Sequence, residues 1–434
     1  MNRNTLWGTL AVILLLGLAG LVSQQEARSI SSLQNLSMAP KLIATKPEAH
    51  LTQLVDANNR FGFNLFNQLT QPSIQPETQP QNIVFSPQSM AIALGMTRNG
   101  TAGTTQTEMT QVLGLEEFDP ATVDASYRKL IKTWQTTNGG VELAIANSLW
   151  VNQNISLKQQ FINRSQNFYQ GIVTNLNFAD SSAKEQINQW VASNTAQHIP
   201  QVLDSTSPDD ALYLINAIYF KGGWSNKFDP RGTKEQPFQI EPNQTKPVAM
   251  MSQTGDYRYY ENQQENQQFQ AIRLPYGKQG ELGMYIFLPQ ANSNLGQFNQ
   301  QLNLANWQEW LSQMRSQPGN VSLPKFKLES DTDLKAVLSS LGMQQVFDAA
   351  QADFTPMTDG AVGINTVKHQ AVIEVNEEGT EAAGATSLGI RITSATPQPE
   401  YFTMNINRPF FFAIRDDITE TILFMGNVVD PQGN

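Results

Sequence analysis

The chain has 434 residues, 40% of them hydrophobic and 15% charged, with 22 Phe and 7 Trp, which is ample for a large packed core and excludes intrinsic disorder. The net charge of −10 comes without any Lys/Arg-rich run, so no nucleic-acid partner is expected and a polyanion such as heparin is disfavoured. Cysteine is absent, which removes disulfides, thiolate catalysis and Cys-based metal sites.

Residues 1–23 carry one Arg, an apolar run from Leu6 to Val22, and then polar Ser-Gln-Gln. This is the pattern of a signal peptide with small residues near Ser23 for cleavage, or of a short membrane anchor. Either reading places the protein outside the cytoplasm, secreted, periplasmic or extracellular, touching a membrane only through residues 6–22 if they stay attached. Residues 24–50 are Ser-, Gln- and Pro-rich and read as a flexible tether. From Leu51 to Asn434 the apolar pattern is dense and no later linker cuts it, which predicts a single domain.

Helical patterns come first. Over 56–71 Phe61, Leu65, Phe66 and Leu69 recur at helical spacing, with Asp56 as the expected cap. In "NIVFSPQSMAIALGM" Pro87 suits a first helical turn, and Ile92, Leu94 and Met96 suit a buried helix. Over 181–199 Ser182 followed by Glu185 predicts a capping box ahead of Ile187, Trp190 and Val191. Strand patterns then take over at 211–222, 270–277, 282–289, 320–329 and 363–378, and at 410–415 and 421–428, which "DDITE" joins as a hairpin. Helices ahead of strands, without regular alternation, predict an α+β fold with a large antiparallel or mixed sheet.

Enzyme chemistry finds little support. His50, His198 and His369 are too scattered for a His-based metal site. His369 lies among strand-like apolar positions, where a structural hydrogen-bonding role is the natural reading. Gly-x-Ser-x-Gly is absent, "SSAK" (181–184) sits in a helix-start context, and "GTAGTTQTE" lacks the Gly-Lys-Ser/Thr that grips phosphate. No cofactor, metal or catalytic residue is expected, and the chain does not read as an enzyme.

The segment "EEGTEAAGATSLGIRITSATPQPE" (377–400) poses a different question. From Thr380 to Ile392 the even-numbered positions hold Thr, Ala, Gly, Thr, Leu, Ile and Ile, with no charge, whereas both charges, Glu381 and Arg391, fall on the odd positions. A strand sends alternate side chains to opposite faces, so the even face can be buried between strands while the odd face stays in water. Gly379, Gly384 and Gly389 make a permanent strand costly. The segment is compatible with two states, an exposed loop and an inserted strand.

At these residues the chain resembles the serpin family from about Leu51 to Pro431. The hinge "EEGTEAAGAT" (377–386), "NIVFSPQSMAIAL" (82–94), "INAIYFKGGW" (215–224), "KHQAVIEVNEEGTEAAGAT" (368–386) and "RPFFFAIRDDITETILFMGNVVDP" (408–431) match the family's motifs in order. The resemblance implies a metastable α+β fold of three β-sheets and eight or nine helices that displays residues 377–400 as a reactive-centre loop. It implies a monomer that traps a serine protease as a covalent acyl-enzyme by inserting the cleaved loop into the main sheet. Carried over by position, the hinge is Glu377, Glu378, Gly379, Thr380, Glu381, Ala382, Ala383, Gly384, Ala385 and Thr386. Ser86, Ser89, Asn216 and His369 match a "shutter" under the strands that must part, and Trp224 matches a "breach" where insertion begins. The scissile bond falls between Thr393 and Ser394, pointing to an elastase- or subtilisin-like target. The segment from Ser394 to Arg408 is longer than the family norm, which leaves the register open, and a cut between Arg391 and Ile392 would instead suit a trypsin-like protease with a bait segment two residues shorter. The other reading is a non-inhibitory serpin serving as carrier, chaperone or storage protein.

Overall fold

The computed structural model describes residues 49–71, 81–135, 140–264, 268–291, 294–379 and 401–433. The signal peptide or anchor, the tether up to residue 48, and the loop residues Thr380 to Glu400 with both expected scissile bonds lie outside the described residues. Contacts divide the chain into Met1–Lys46 and Pro47–Asn434; the second unit is the one described below.

Two hydrogen-bonded sheets organise this unit. The five-stranded sheet runs in the order β10 (Phe326–Asp333), β11 (Ile364–Val375), β4 (Leu212–Gly222), β2 (Val141–Asn152) and β3 (Ile172–Leu176). β11 and β4 pair in parallel, as do β2 and β3; the other two ladders are antiparallel. The nine-stranded path is β1 (Ile83–Phe85), β14 (Thr421–Val428), β13 (Phe410–Asp416), β8 (Leu282–Pro289), β7 (Phe269–Tyr276), β6 (Gln244–Asn262), β9 (Arg315–Pro324) and β12 (Phe402–Asn405), with β5 (Lys234–Glu241) also on β6. β6 is long enough to pair with β5 at one end, with β9 along its middle and with β7 at the other end. It thus joins into one ladder what the three-sheet expectation counts as two sheets.

Among the described residues nine α-helices pack on these sheets. Those used below are α1 (Ala49–Leu69), α2 (Pro87–Arg98), α6 (Ala183–Asn194) and α8 (Leu304–Gln313). The main core lies between the helices and the two sheets, with Phe287 touching Phe269, Phe298, Trp307, Trp310 and Phe411. Such aromatic burial is the bulk of the folding drive. None of the described helices is long and apolar enough to cross a membrane.

Several expected elements appear as read: β4, β7, β8 and β11 within a few residues, and the β13–β14 hairpin across the Asp417–Glu420 turn. Others differ for identifiable reasons. α1 is already helical at Ala49, because Leu51, Leu54 and Val55 continue its buried stripe, and Asp56 is an interior residue that accepts a hydrogen bond from Gln308 (3.2 Å). Ser182 does occupy the N-cap of α6, but no capping box forms. The Asp180 carboxylate accepts the Ser182 N–H instead (2.8 Å), and Gln186 donates to the Ser182 hydroxyl (3.1 Å). The stretch 320–329 is not one strand. Pro324 ends β9, and after Lys325 the chain joins the other sheet as β10. β2, β3, β5, β6 and β12 carry too many interior polar residues for alternation to reveal them, and cross-strand partners hold them in place.

Candidate functional site

The parallel seam between β4 and β11 crosses the centre of the five-stranded sheet, from Leu212 beside Ile364 to Phe220 beside Ile373. β4 is buried and largely apolar along its length, as a strand covered on two faces must be, whereas β11 alternates buried apolar with partly exposed polar positions. Midway, one row of side chains breaks this rule. Asn147 of β2, Asn216 of β4 and His369 of β11 stand side by side in register, all nearly or fully buried.

Each member of this row is satisfied. The Ser86 N–H donates to His369 Nε2 (3.0 Å), so the ring proton sits on Nδ1 and donates to Asn216 Oδ1 (2.6 Å). The Asn216 amide nitrogen in turn donates to the Ser89 hydroxyl (2.5 Å) and to Asn147 Oδ1 (2.5 Å). Ser86 has a second task. As N-cap of α2 its hydroxyl accepts the Ser89 N–H (3.1 Å), with Pro87 at the first helical position as the sequence predicts. The four residues expected to form the shutter therefore meet as one hydrogen-bonded cluster linking α2 to both seam strands. Burial pushes the His369 ring down to about 3, so it is neutral.

At one end of the seam the chain leaves β11 through a tight turn. Asn376 and Gly379 bridge each other, and Gly379 also forms an antiparallel bridge to Gly223, just past β4. The first residue beyond the turn is thus already paired with both seam strands. Gly379 has φ of +112°, and a Cβ there would lie 2.3 Å from the Gly222 carbonyl oxygen and 2.4 Å from the Trp224 nitrogen. Only glycine fits.

Side chains pin this turn. The Trp224 indole N–H donates to the Asn376 carbonyl (2.9 Å), and its backbone N–H donates to the Glu378 carbonyl (3.0 Å). The ring is held by a flat stack on Tyr276, centroids 4.2 Å apart, and an edge contact with Phe228. The Phe228 N–H takes the Glu377 carbonyl (3.0 Å). Lys325 pairs with Glu377 (2.9 Å), Thr233 donates to the same carboxylate (2.8 Å), and Lys227 pairs with Glu378. Partial burial pushes the Glu377 carboxyl up, but Lys325 and Thr233 more than offset it and hold it below its usual range.

Of the expected site residues, Ser86, Ser89, Asn216, His369, Trp224, Glu377, Glu378 and Gly379 thus fall into two clusters on one seam. Asn147, Asn376, Lys325 and Lys227 belong to these clusters and were not anticipated. A lone Asn inside the apolar strand "AIANSLWV" is the signal that could have found Asn147. The two lysines come from distant segments and carry no local mark.

Two outcomes follow from this geometry. Below about pH 6.5 an unfolded chain binds a proton on residue 369 that the folded chain refuses until pH nears 3. Stability is therefore fully present above the unfolded value and falls as pH drops through that window, by on the order of 2–4 kcal/mol. Thermal midpoints measured from pH 7 to 4 should decline more steeply for the native chain than for His369→Gln; equal slopes would refute the neutral-ring assignment. Gly379→Ala should lower the midpoint by a few degrees, the cost of overpacking and of a strained φ being about 2 kcal/mol.

A family model described as Serpin (serine protease inhibitor) matches residues 56–431. Serpin B6 of Macaca fascicularis is 34% identical over 87% of this chain and 99% of its own length. Human thyroxine-binding globulin complexed with thyroxine superposes with a TM-score of 0.80 at 28% identity, over 88% of this chain and 100% of that one. The thermophilic serpin Tengpin in its native state gives 0.77 at 28% identity, over 87% and 94%. With a family model across most of its length and seam residues in register with the motifs that suggested the likeness, the chain belongs to the serpin family.

Proposed function

We propose that this serpin is an extracytoplasmic, monomeric inhibitor that traps a serine protease by inserting its own cleaved loop between β4 and β11. The observation that carries this reading is the double bridge of Gly379 to Gly223 and Asn376. It supports one register for an inserted loop. Continued along both strands, that pairing would bring Thr380 opposite Gly222 and Val375, Thr386 opposite Asn216 and His369, and Ile390 opposite Leu212. The even-numbered residues then share the face of Phe220, Ile218 and Leu214, which is the main core. The odd-numbered ones share the face of Tyr219, Ala217 and Ile215. Both faces are apolar along the seam, and the two charges, Glu381 and Arg391, would fall opposite Lys221 and Ala211 at its ends, so the uncharged even face would enter the main core.

The register also supplies the replacement for the bond that must break. Parting the strands separates His369 from Asn216, and Thr386 arrives between them with a hydroxyl that both donates and accepts. One parallel ladder is exchanged for two antiparallel ones, the better-paired arrangement. The net gain of roughly ten hydrogen bonds at about 1 kcal/mol each is on the order of 10 kcal/mol before the ordering entropy of the loop is subtracted.

In the chemical step the protease serine attacks the carbonyl carbon of Thr393. An ester to that carbon forms, the peptide bond breaks, and the amine of Ser394 leaves with the proton. Insertion then competes with hydrolysis of the ester. Small residues at Thr380, Ala382, Ala383 and Ala385 favour fast insertion. A non-inhibitory role is the second reading, favoured by the similarity to thyroxine-binding globulin; the uncharged Thr380 speaks against it.

Mixed with pancreatic elastase or subtilisin, the protein should yield a complex that survives boiling in detergent, and mass spectrometry of the released fragment should begin at Ser394. A fragment beginning at Ile392 would move the cut to Arg391 and the target to a trypsin-like protease. Cleavage without complex across a protease panel would defeat the trapping mechanism. Thr380→Arg should shift the outcome from complex to cleaved product, because a charge on the even face cannot enter the core.

A further inference from the structure

On its other face the five-stranded sheet is covered by α6 and the segment that follows it. Their apolar cluster is separate from the main core. It joins Ile187 and Val191 of α6 and Ile199 beyond it to Ala217 and Tyr219 of β4 and Val372 of β11. The cluster thus includes Tyr219 and its in-register neighbour Val372, one on each side of the seam. Neighbouring strands lie about 4.8 Å apart, so admitting one more strand carries Val372 that much further from β4. The cover must yield for the seam to open.

The turn that ends α6 is strained. Ala196 (φ 49°) and Gln197 (φ 65°) are consecutive non-glycine residues in the left-handed region, where Cβ crowds the backbone. The turn is closed by the Gln197 N–H on the Ala192 carbonyl (2.8 Å) and the His198 N–H on the Thr195 carbonyl (2.9 Å). The Thr195 hydroxyl donates to the Val191 carbonyl (2.8 Å). Beside it the His198 ring lies flat on Tyr219 of β4, centroids 3.8 Å apart and planes within 6°. Backbone strain and the stack that restrains it meet at the junction between cover and seam strand.

We propose that the Thr195–His198 turn is a strained latch on the α6 cover. The two left-handed residues bias the cover toward release, and the stack of His198 on Tyr219 holds it down. Only the coupling of release to strand insertion rests on the function proposed above.

Native-state hydrogen exchange of the α6 amides reads the latch directly, and annealing of a synthetic peptide copying residues 380–393 reads the seam. Glycine relieves the left-handed strain but gains freedom when the turn opens. The net expectation is α6 exchange roughly threefold slower in Gln197→Gly and about tenfold slower in the double variant with Ala196→Gly. His198→Ala should speed exchange, and His198→Phe, which keeps a ring on Tyr219, should restore it. Peptide annealing should slow or quicken by the same factors. Unchanged α6 exchange in the double variant would overturn the latch, and altered exchange with unaltered annealing would overturn its coupling to the seam. If the native chain anneals no peptide while the exchange shifts appear, the latch stands and the insertion reading fails.

Discussion

The hydrogen bond from His369 to Asn216 ties together the two seam strands, which pair in parallel from segments some 150 residues apart. Here the centre of the five-stranded sheet relies on a row of buried polar groups rather than on apolar packing. Such groups are stable only while every partner is present, since a buried donor or acceptor left alone costs more than the bond itself contributes. The seam therefore has one well-satisfied closed state. Any open state must bring its own replacement partners.

The rest of the molecule is arranged around that condition. Below the seam, Ser86 caps α2 and at the same time donates to His369, so the helix start and the strand are fixed by one residue. Above it lies the α6 cover, a smaller apolar layer with its own cluster. At the end of the seam, Gly379 stands in strand-like contact with both neighbours, and Trp224 holds the turn that presents it. The polar row itself borders the main core, where the His369 ring meets Phe85 edge-on.

The charges at the hinge work by position more than by energy. Lys325 and Lys227 each meet one of two consecutive carboxylates, and partly exposed pairs of this kind contribute little to stability. Their geometry orients the Glu377 and Glu378 carbonyls toward the Phe228 and Trp224 N–H groups. Membership of the serpin family and the fold stand on the whole chain, whereas the inhibition proposed above rests on the loop that follows this hinge. The pairing of Gly379 with Gly223 and Asn376 is the observation that supports that proposal.

Local pattern in the sequence settled a good deal. Pro87 after a capping serine, the hairpin about "DDITE", the apolar strands at 282–289 and 421–428, and the alternation from Thr380 to Ile392 are all short-range signals, because propensity and side-chain period act within one element. Motif likeness added the family and named Ser86, Ser89, Asn216, His369 and Trp224. Partnership across the sheet was beyond its reach. That Asn147 completes the polar row, that Lys325 and not a nearer cation meets Glu377, and that 320–329 divides between two sheets are decided by contacts between residues far apart in sequence. So is the strained end of α6, whose left-handed residues are an Ala and a Gln that no turn propensity would select. The chain alone specified which side chains could be buried; only the folded arrangement determined which polar groups they would be buried with, because hydrogen-bond satisfaction is a property of the assembled neighbourhood.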